Sequence, residues 1–100
     1  MADSRPGERR QVVKRSFEIL NKLGLHARAA AQLVQLAASF QAEVTICKDG
    51  QSVNGKSIMG IMTLAAGQGS VIDLEADGPD AEAMLDAIGA LIAAKFHEGQ

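Results

Sequence analysis

The order of hydrophobic periodicities predicts an α+β fold, a two-layer sandwich in which a four-stranded antiparallel sheet carries three helices on one face. Three observations carry this. Stretches of period-two alternation and stretches of helical spacing follow one another as strand, helix, strand, strand, helix, strand, helix, or βαββαβα. The helical stretches present an apolar side to be covered, which suits a layer laid on one face of a sheet. At 100 residues and 47% hydrophobic, the chain can bury one modest core. No internal repeat or linker divides it.

Residues 1–11 read as a flexible N-terminal tail holding Arg5, Arg9 and Arg10. A solvated terminus is the default for such a stretch, and a basic docking arm the alternative. The domain is expected over residues 12–97, with 98–100 as a C-terminal tail. Val13, Phe17 and Ile19 alternate with Lys14, Ser16 and Glu18, the pattern of a half-buried strand. Asn21, Lys22 and Gly24 break it.

From Ala27 to Phe40, the residues Ala30, Leu33, Val34, Ala37 and Phe40 recur at helical spacing. Alanines favour the helix and keep its first turns slim. His26 falls at the cap position. Residues 43–47 alternate again, and Asp49-Gly50 is a hairpin signal, because such turns need positive φ. Residues 51–54 return as a short partner strand, closed by a turn at Asn54-Gly55.

A short helix is expected over residues 57–65, with Ser57 as its N-cap. Ile61, Leu64 and Ala65 form an arc suited to the core. Ile58, Met59 and Met62 form a second arc turned the other way. A helix apolar on both sides in so small a domain points to a docking patch, and methionine suits adaptable contacts. Residues 71–76 form a further strand with Ile72 and Leu74 inward. Asp77-Gly78-Pro79 then turns, with Pro79 expected at the first helical position and Asp80 and Glu82 near the positive helix end. Ala81, Met84, Leu85, Ile88, Leu91 and Ile92 stripe a final helix to about Phe96. His97 is read as incidental.

Composition excludes several functions. A net charge of -2 argues against a nucleic-acid binder, and the chain has no tryptophan or tyrosine on which bases could stack. Cys47, the only cysteine, reads as a small strand residue in a reducing compartment. No apolar run approaches the ~20 residues of a membrane span, and the tail lacks the apolar middle of a signal peptide, so a cytoplasmic protein is expected. Nucleotide-binding glycine loops and metal-binding spacings are missing, so neither a metal nor a cofactor is expected.

The chemistry that remains is concentrated at Gly24-Leu25-His26-Ala27-Arg28. A helix N-terminus offers unpaired N–H groups and a positive dipole end to an anion. A nucleophilic imidazole has to be neutral, and that positive end disfavours imidazolium. A phosphoryl group on His26 would gain from the same dipole and from the Arg28 guanidinium. The competing reading is a histidine that merely caps the helix. Ser57 is likewise either a plain cap or a serine whose phosphorylation would put charge beside Lys56 and the docking patch.

Two stretches carry a resemblance. Residues 24–30, Gly-Leu-His-Ala-Arg-Ala-Ala, resemble the active-site signature of the HPr family of histidine-containing phosphocarriers. Residues 53–62, Val-Asn-Gly-Lys-Ser-Ile-Met-Gly-Ile-Met, resemble its regulatory-serine signature. The resemblance covers about residues 12–97. It implies an open-faced β-sandwich and a place in the phosphoenolpyruvate-dependent phosphotransferase system, as a phosphoryl carrier without turnover of its own. By that likeness His26 takes phosphate on Nδ1 from phosphorylated enzyme I and hands it to enzyme IIA domains, while Arg28 steadies it. Ser57 matches the serine that an HPr kinase/phosphorylase modifies in some bacteria. Leu25, Lys56, Ile58, Met59 and Met62 match the partner-facing surface, and a monomer is expected. Many members have proline where this chain has Ala29, so the first turn loses a residue pre-set for helical φ. A nitrogen-type phosphotransferase regulator, similar to NPr and read by its targets through its phosphorylation state, carries the same His26 motif. A third reading is an α+β hydrolase with His26 as nucleophile.

Overall fold

A computed structural model describes residues 12–98. The readings of residues 1–11, 99 and 100 as tails therefore lie outside the described residues. The elements are β1 (Val12–Glu18), α1 (Ala27–Ala38), β2 (Glu43–Lys48), β3 (Gln51–Asn54), α2 (Ile58–Thr63), β4 (Val71–Asp77) and α3 (Ala81–Ala93), followed by a 3-10 turn, Lys95–His97. The strands form one antiparallel sheet in the order β1-β4-β2-β3. The open-faced α+β sandwich expected from the sequence is the architecture found.

Register follows from side-chain alternation. Phe17 lies opposite Ile72, and Ile46 lies opposite Leu74 on one side and Val53 on the other, so one face is continuously apolar. That face and the three helices enclose the core, in which Ile19, Leu33, Ile46, Ile61, Ile72, Leu74, Met84, Leu85 and Ile88 are fully buried. The opposite face, with Lys14, Ser16, Thr45, Ser52, Asp73 and Glu75, forms an open, polar hollow that also includes Cys47. Asp49 and Gly50 take φ of 52° and 83°, the paired positive values that a two-residue hairpin turn requires.

The structure departs from the sequence reading at several element ends. Helix α1 stops at Ala38, two residues before Phe40, where the Ser39 hydroxyl donates to the Leu36 carbonyl (2.6 Å). Helix α2 stops at Thr63; Ala65 is exposed at φ 49°, and Ala66 takes the core place expected of it. Pro79 precedes α3 rather than opening it, and Asp80 is the N-cap. The Asp80 carboxylate does not cap its own helix; it accepts from the backbone N–H groups of Gln41 and Ala42, both at 2.8 Å. Those bonds hold its carboxyl below the ordinary aspartate range.

Two further departures concern charge and the chain's last turn. Arg15 lies on the helix-covered face between Val13 and Phe17, where its guanidinium bonds Asp86 and Glu82 of α3. Helix α3 ends at Ala93 instead of running to Phe96. Lys95, Phe96 and His97 then adopt φ of 56°, 53° and 60°, a left-handed turn that folds Phe96 back into the core.

Candidate functional site

The site begins where β1 is extended by one residue. Ile19 exchanges backbone bonds with Ser70 and Gly69, both at 2.8 Å, and the chain then enters a loop. Asn21, fully buried, closes that loop by donating from Nδ2 to the Gly24 carbonyl (2.9 Å), and the Gly24 N–H returns to the Asn21 carbonyl (3.2 Å). Gly24 passes at φ 69°, and the Leu25 N–H then bonds the Ala66 carbonyl (2.9 Å) in the connection between α2 and β4. Residue 26 thus emerges from a loop tied to two parts of the domain.

His26 is the N-cap of α1, as its position in the sequence implied. Its backbone is extended, its carbonyl accepts from the Ala30 N–H (2.8 Å), and its side chain makes no cap bond. The imidazole is 27% exposed, so a partner can reach it. The first turn of α1 holds no acidic residue, and Ala27 and Arg28 are exposed. Their N–H groups belong to the set that a helix leaves without intrahelical partners, so the positive end of α1 is open beside the ring.

Sequence reasoning missed Glu98, which it placed in a C-terminal tail. The Glu98 side chain is only 5% exposed. One carboxylate oxygen lies against Nε2 of His26, and the other accepts from Nδ2 of Asn21 (3.1 Å). The hydrogen bond with His26 is the main cause holding its carboxyl below the ordinary glutamate range, helped by Asn21 and by the charges of His26 and Arg28 against the cost of desolvation. With Nε2 engaged, Nδ1 is the ring nitrogen left open, for no bond from it occurs among the described residues. No composition signal marks Glu98, because the turn that returns it is built from lysine, phenylalanine and histidine.

Ser57 is the N-cap of α2, and its hydroxyl accepts from the Gly60 N–H (3.0 Å). Helix α2 packs against α1, so the two signature stretches lie on neighbouring helices. Ile58, Met59 (76% exposed) and Met62 present the outward apolar arc. Leu25 does not join it: its side chain is turned into the core at 5% exposure, because the Leu25–Ala66 bond draws that residue inward. The exposed residue of that loop is Leu23, at 60%. Lys56 is also spoken for, since its ammonium donates to the Phe40 carbonyl (3.1 Å) and is half-buried there. His97 is exposed in the last turn. Among the described residues no cluster of His, Cys, Asp or Glu could hold a metal, and no helix is long and apolar enough to cross a membrane.

Comparison with known proteins gives matches over most of the chain. A family model described as the phosphorylation site of the PTS HPr component matches residues 13–94. The chain is 53% identical over 89 residues to a phosphocarrier protein HPr of Cupriavidus necator, a match that covers 89% of this chain and all of the other. It is 48% identical over 86 residues to a phosphocarrier protein NPr of Shewanella violacea, covering 86% of this chain and 94% of that one. Among solved structures, an HPr from Thermoanaerobacter tengcongensis is similar at a TM-score of 0.85 and 46% identity, over 88% of this chain and 99% of the other.

Proposed function

The chain belongs to the HPr family of phosphotransferase-system phosphocarriers, and from that premise we propose that His26 accepts a phosphoryl group on Nδ1 from phosphorylated enzyme I and passes it to enzyme IIA domains. The observation that carries this reading is the placement of the ring. It is partly exposed at the N-cap of α1, and its Nε2 is engaged by Glu98, so Nδ1 is the nitrogen left for the phosphoryl group.

The residues divide the work. His26 supplies the lone pair that attacks phosphorus. The N–H groups of Ala27 and Arg28, with the Arg28 guanidinium, receive the phosphoryl oxygens, and charge-assisted bonds of that kind are strong yet exchangeable at an exposed site. Ile58, Met59 and Met62 dock the partner, an apolar surface close enough to α1 for one partner to cover both helices. Ala29 is buried in the first turn of α1, which therefore forms without the proline common in the family. The carrier works as a cytoplasmic monomer.

Ser57 is the proposed regulatory site. Phosphate there gains from the N-terminus of α2 and places negative charge between the cap and the docking arc, slowing transfer from enzyme I. Slower transfer in Ser57→Asp is the expected result; equal rates would leave Ser57 a cap only. A second reading, a nitrogen-type regulator, is favoured by the similarity to an NPr. It uses the same chemistry at His26 but controls target proteins instead of sugar uptake. A sugar-uptake assay in a deletion strain separates the two. The carrier chemistry itself is tested with enzyme I and phosphoenolpyruvate, which should add one acid-labile phosphoryl group to the wild-type chain and none to His26→Ala.

A further inference from the structure

Glu98 is tied to the site by more than its contact with His26. Both of its carboxylate oxygens are engaged, one by Nε2 of His26 and the other by Nδ2 of Asn21, and the side chain is almost wholly withdrawn from solvent. Asn21 is itself fixed: fully buried, it spends one amide proton on the Gly24 carbonyl and the other on Glu98. The chain reaches this position through Lys95, Phe96 and His97, three consecutive non-glycine residues at positive φ, anchored by the buried Phe96. Left-handed backbone is unfavourable for such residues, and a run of it is kept only where surrounding contacts over-determine it. Here the run delivers a carboxylate to Nε2 of His26.

We infer that Glu98 is a positioning residue for phosphoryl transfer: braced by Asn21, it holds the proton on Nε2 of His26 and balances the positive charge that the ring acquires when Nδ1 is phosphorylated. The inference rests on the phosphocarrier reading above and deepens it. In the forward step the Nδ1 lone pair forms the N–P bond. The bond from phosphorus to the donor on enzyme I breaks, and its electron pair leaves with that donor. No proton moves, so the ring, neutral with its proton on Nε2, becomes a phosphoimidazolium of one positive charge.

Glu98 meets that charge at Nε2, and Arg28 is the further positive group acting on the same carboxylate. In the onward step the N–P electron pair returns to Nδ1 and the ring departs neutral, its proton still on Nε2. Without that proton the ring would have to leave as an anion, a much poorer leaving group. The carboxylate therefore keeps the phosphoryl group transferable across the working pH range.

The test compares wild type with Glu98→Gln, both full chains phosphorylated by enzyme I and phosphoenolpyruvate. Glutamine keeps the shape, and its one carbonyl oxygen can still accept from Nε2–H, but its amide nitrogen cannot accept from Asn21. The pH dependence is therefore what reads the lost charge, because losing that neutral bond alone would not move it. The phosphorylated ring is titrated by 31P and ring 15N NMR, and transfer is timed against pH. The expected result is a titration midpoint about 1 unit lower in Glu98→Gln. Above that midpoint, transfer to enzyme IIA should be about tenfold slower, with KM for the carrier unchanged. A midpoint and pH profile matching wild type would overturn the role of Glu98 while leaving the carrier reading intact. Failure of the wild-type chain to take up phosphate would overturn both.

Discussion

Replacing Gly24 with alanine tests how firmly the loop before His26 must be held. Gly24 sits at φ 69°, and a Cβ built there would lie 2.4 Å from the Ala66 carbonyl oxygen and 2.7 Å from Cα of Gly67. Two costs follow. Left-handed backbone costs an L-residue about 1–2 kcal/mol. The clash is with backbone on both counts, so the loop has to move away from Ala66 and give up the Leu25–Ala66 hydrogen bond, worth about 1 kcal/mol. The expected loss is therefore about 2–3 kcal/mol, a large part of a typical domain's stability but short of unfolding it. Gly50→Ala is the control, because Gly50 has φ 83° and nothing within 4 Å of the added Cβ, leaving the backbone cost alone. Urea unfolding of both variants, with initial rates of phosphorylation by enzyme I, measures the difference. Gly24→Ala should lose about 1 kcal/mol more than Gly50→Ala and accept phosphate more slowly. Equal losses, or a wild-type phosphorylation rate in Gly24→Ala, would refute the claim that this close approach places His26.

Other positions give shorter tests. Ser57→Ala removes the bond from Gly60 and should cost about 1 kcal/mol in thermal or urea unfolding, whereas Ser57→Asp retains a good cap and should melt near wild type. Met59→Ala, at a largely exposed position, should leave stability within about 0.5 kcal/mol and weaken enzyme I binding in titration calorimetry; unchanged affinity would remove Met59 from the docking surface. Asp80 has a carboxyl lowered in the folded state, so it binds fewer protons there than in the unfolded chain. Its stabilising contribution is complete above the unfolded value of about 3.9 and is lost as pH falls through the lower folded value. Asp80→Asn should flatten that part of the acid-unfolding curve, and a curve of unchanged slope would contradict the assignment.

What could be read in advance, and what could not, follows from the range of the forces involved. The strands and helices were legible because one-sided burial imposes periods of 2 and 3.6 on the residues themselves, as at Phe17 and Ile19 or at Leu33 and Ala37. His26 was legible for a related reason: a glycine followed by an alanine-rich helix is a local signature of a cap. Arg15 was not, since a charged residue on the covered face makes sense only once Glu82 and Asp86, 67 and 71 residues away, are brought opposite it. Glu98 escaped because its return depends on the burial of Phe96 and on Asn21, neither of which leaves a trace in residue type. Leu25 and Leu23 look alike in sequence, and only the bond to Ala66 decides that the first is buried and the second exposed. Lys56 shows the same limit, for the carbonyl that holds it belongs to Phe40 on a different element.

The most direct test of the account is the intact mass of the chain after incubation with enzyme I and phosphoenolpyruvate, measured before and after mild acid, for wild type and His26→Ala. The account predicts one added phosphoryl group on the wild-type chain, lost in acid, and an unmodified His26→Ala. An unmodified wild type with a cognate enzyme I, or a phosphate that persists in His26→Ala, would contradict it.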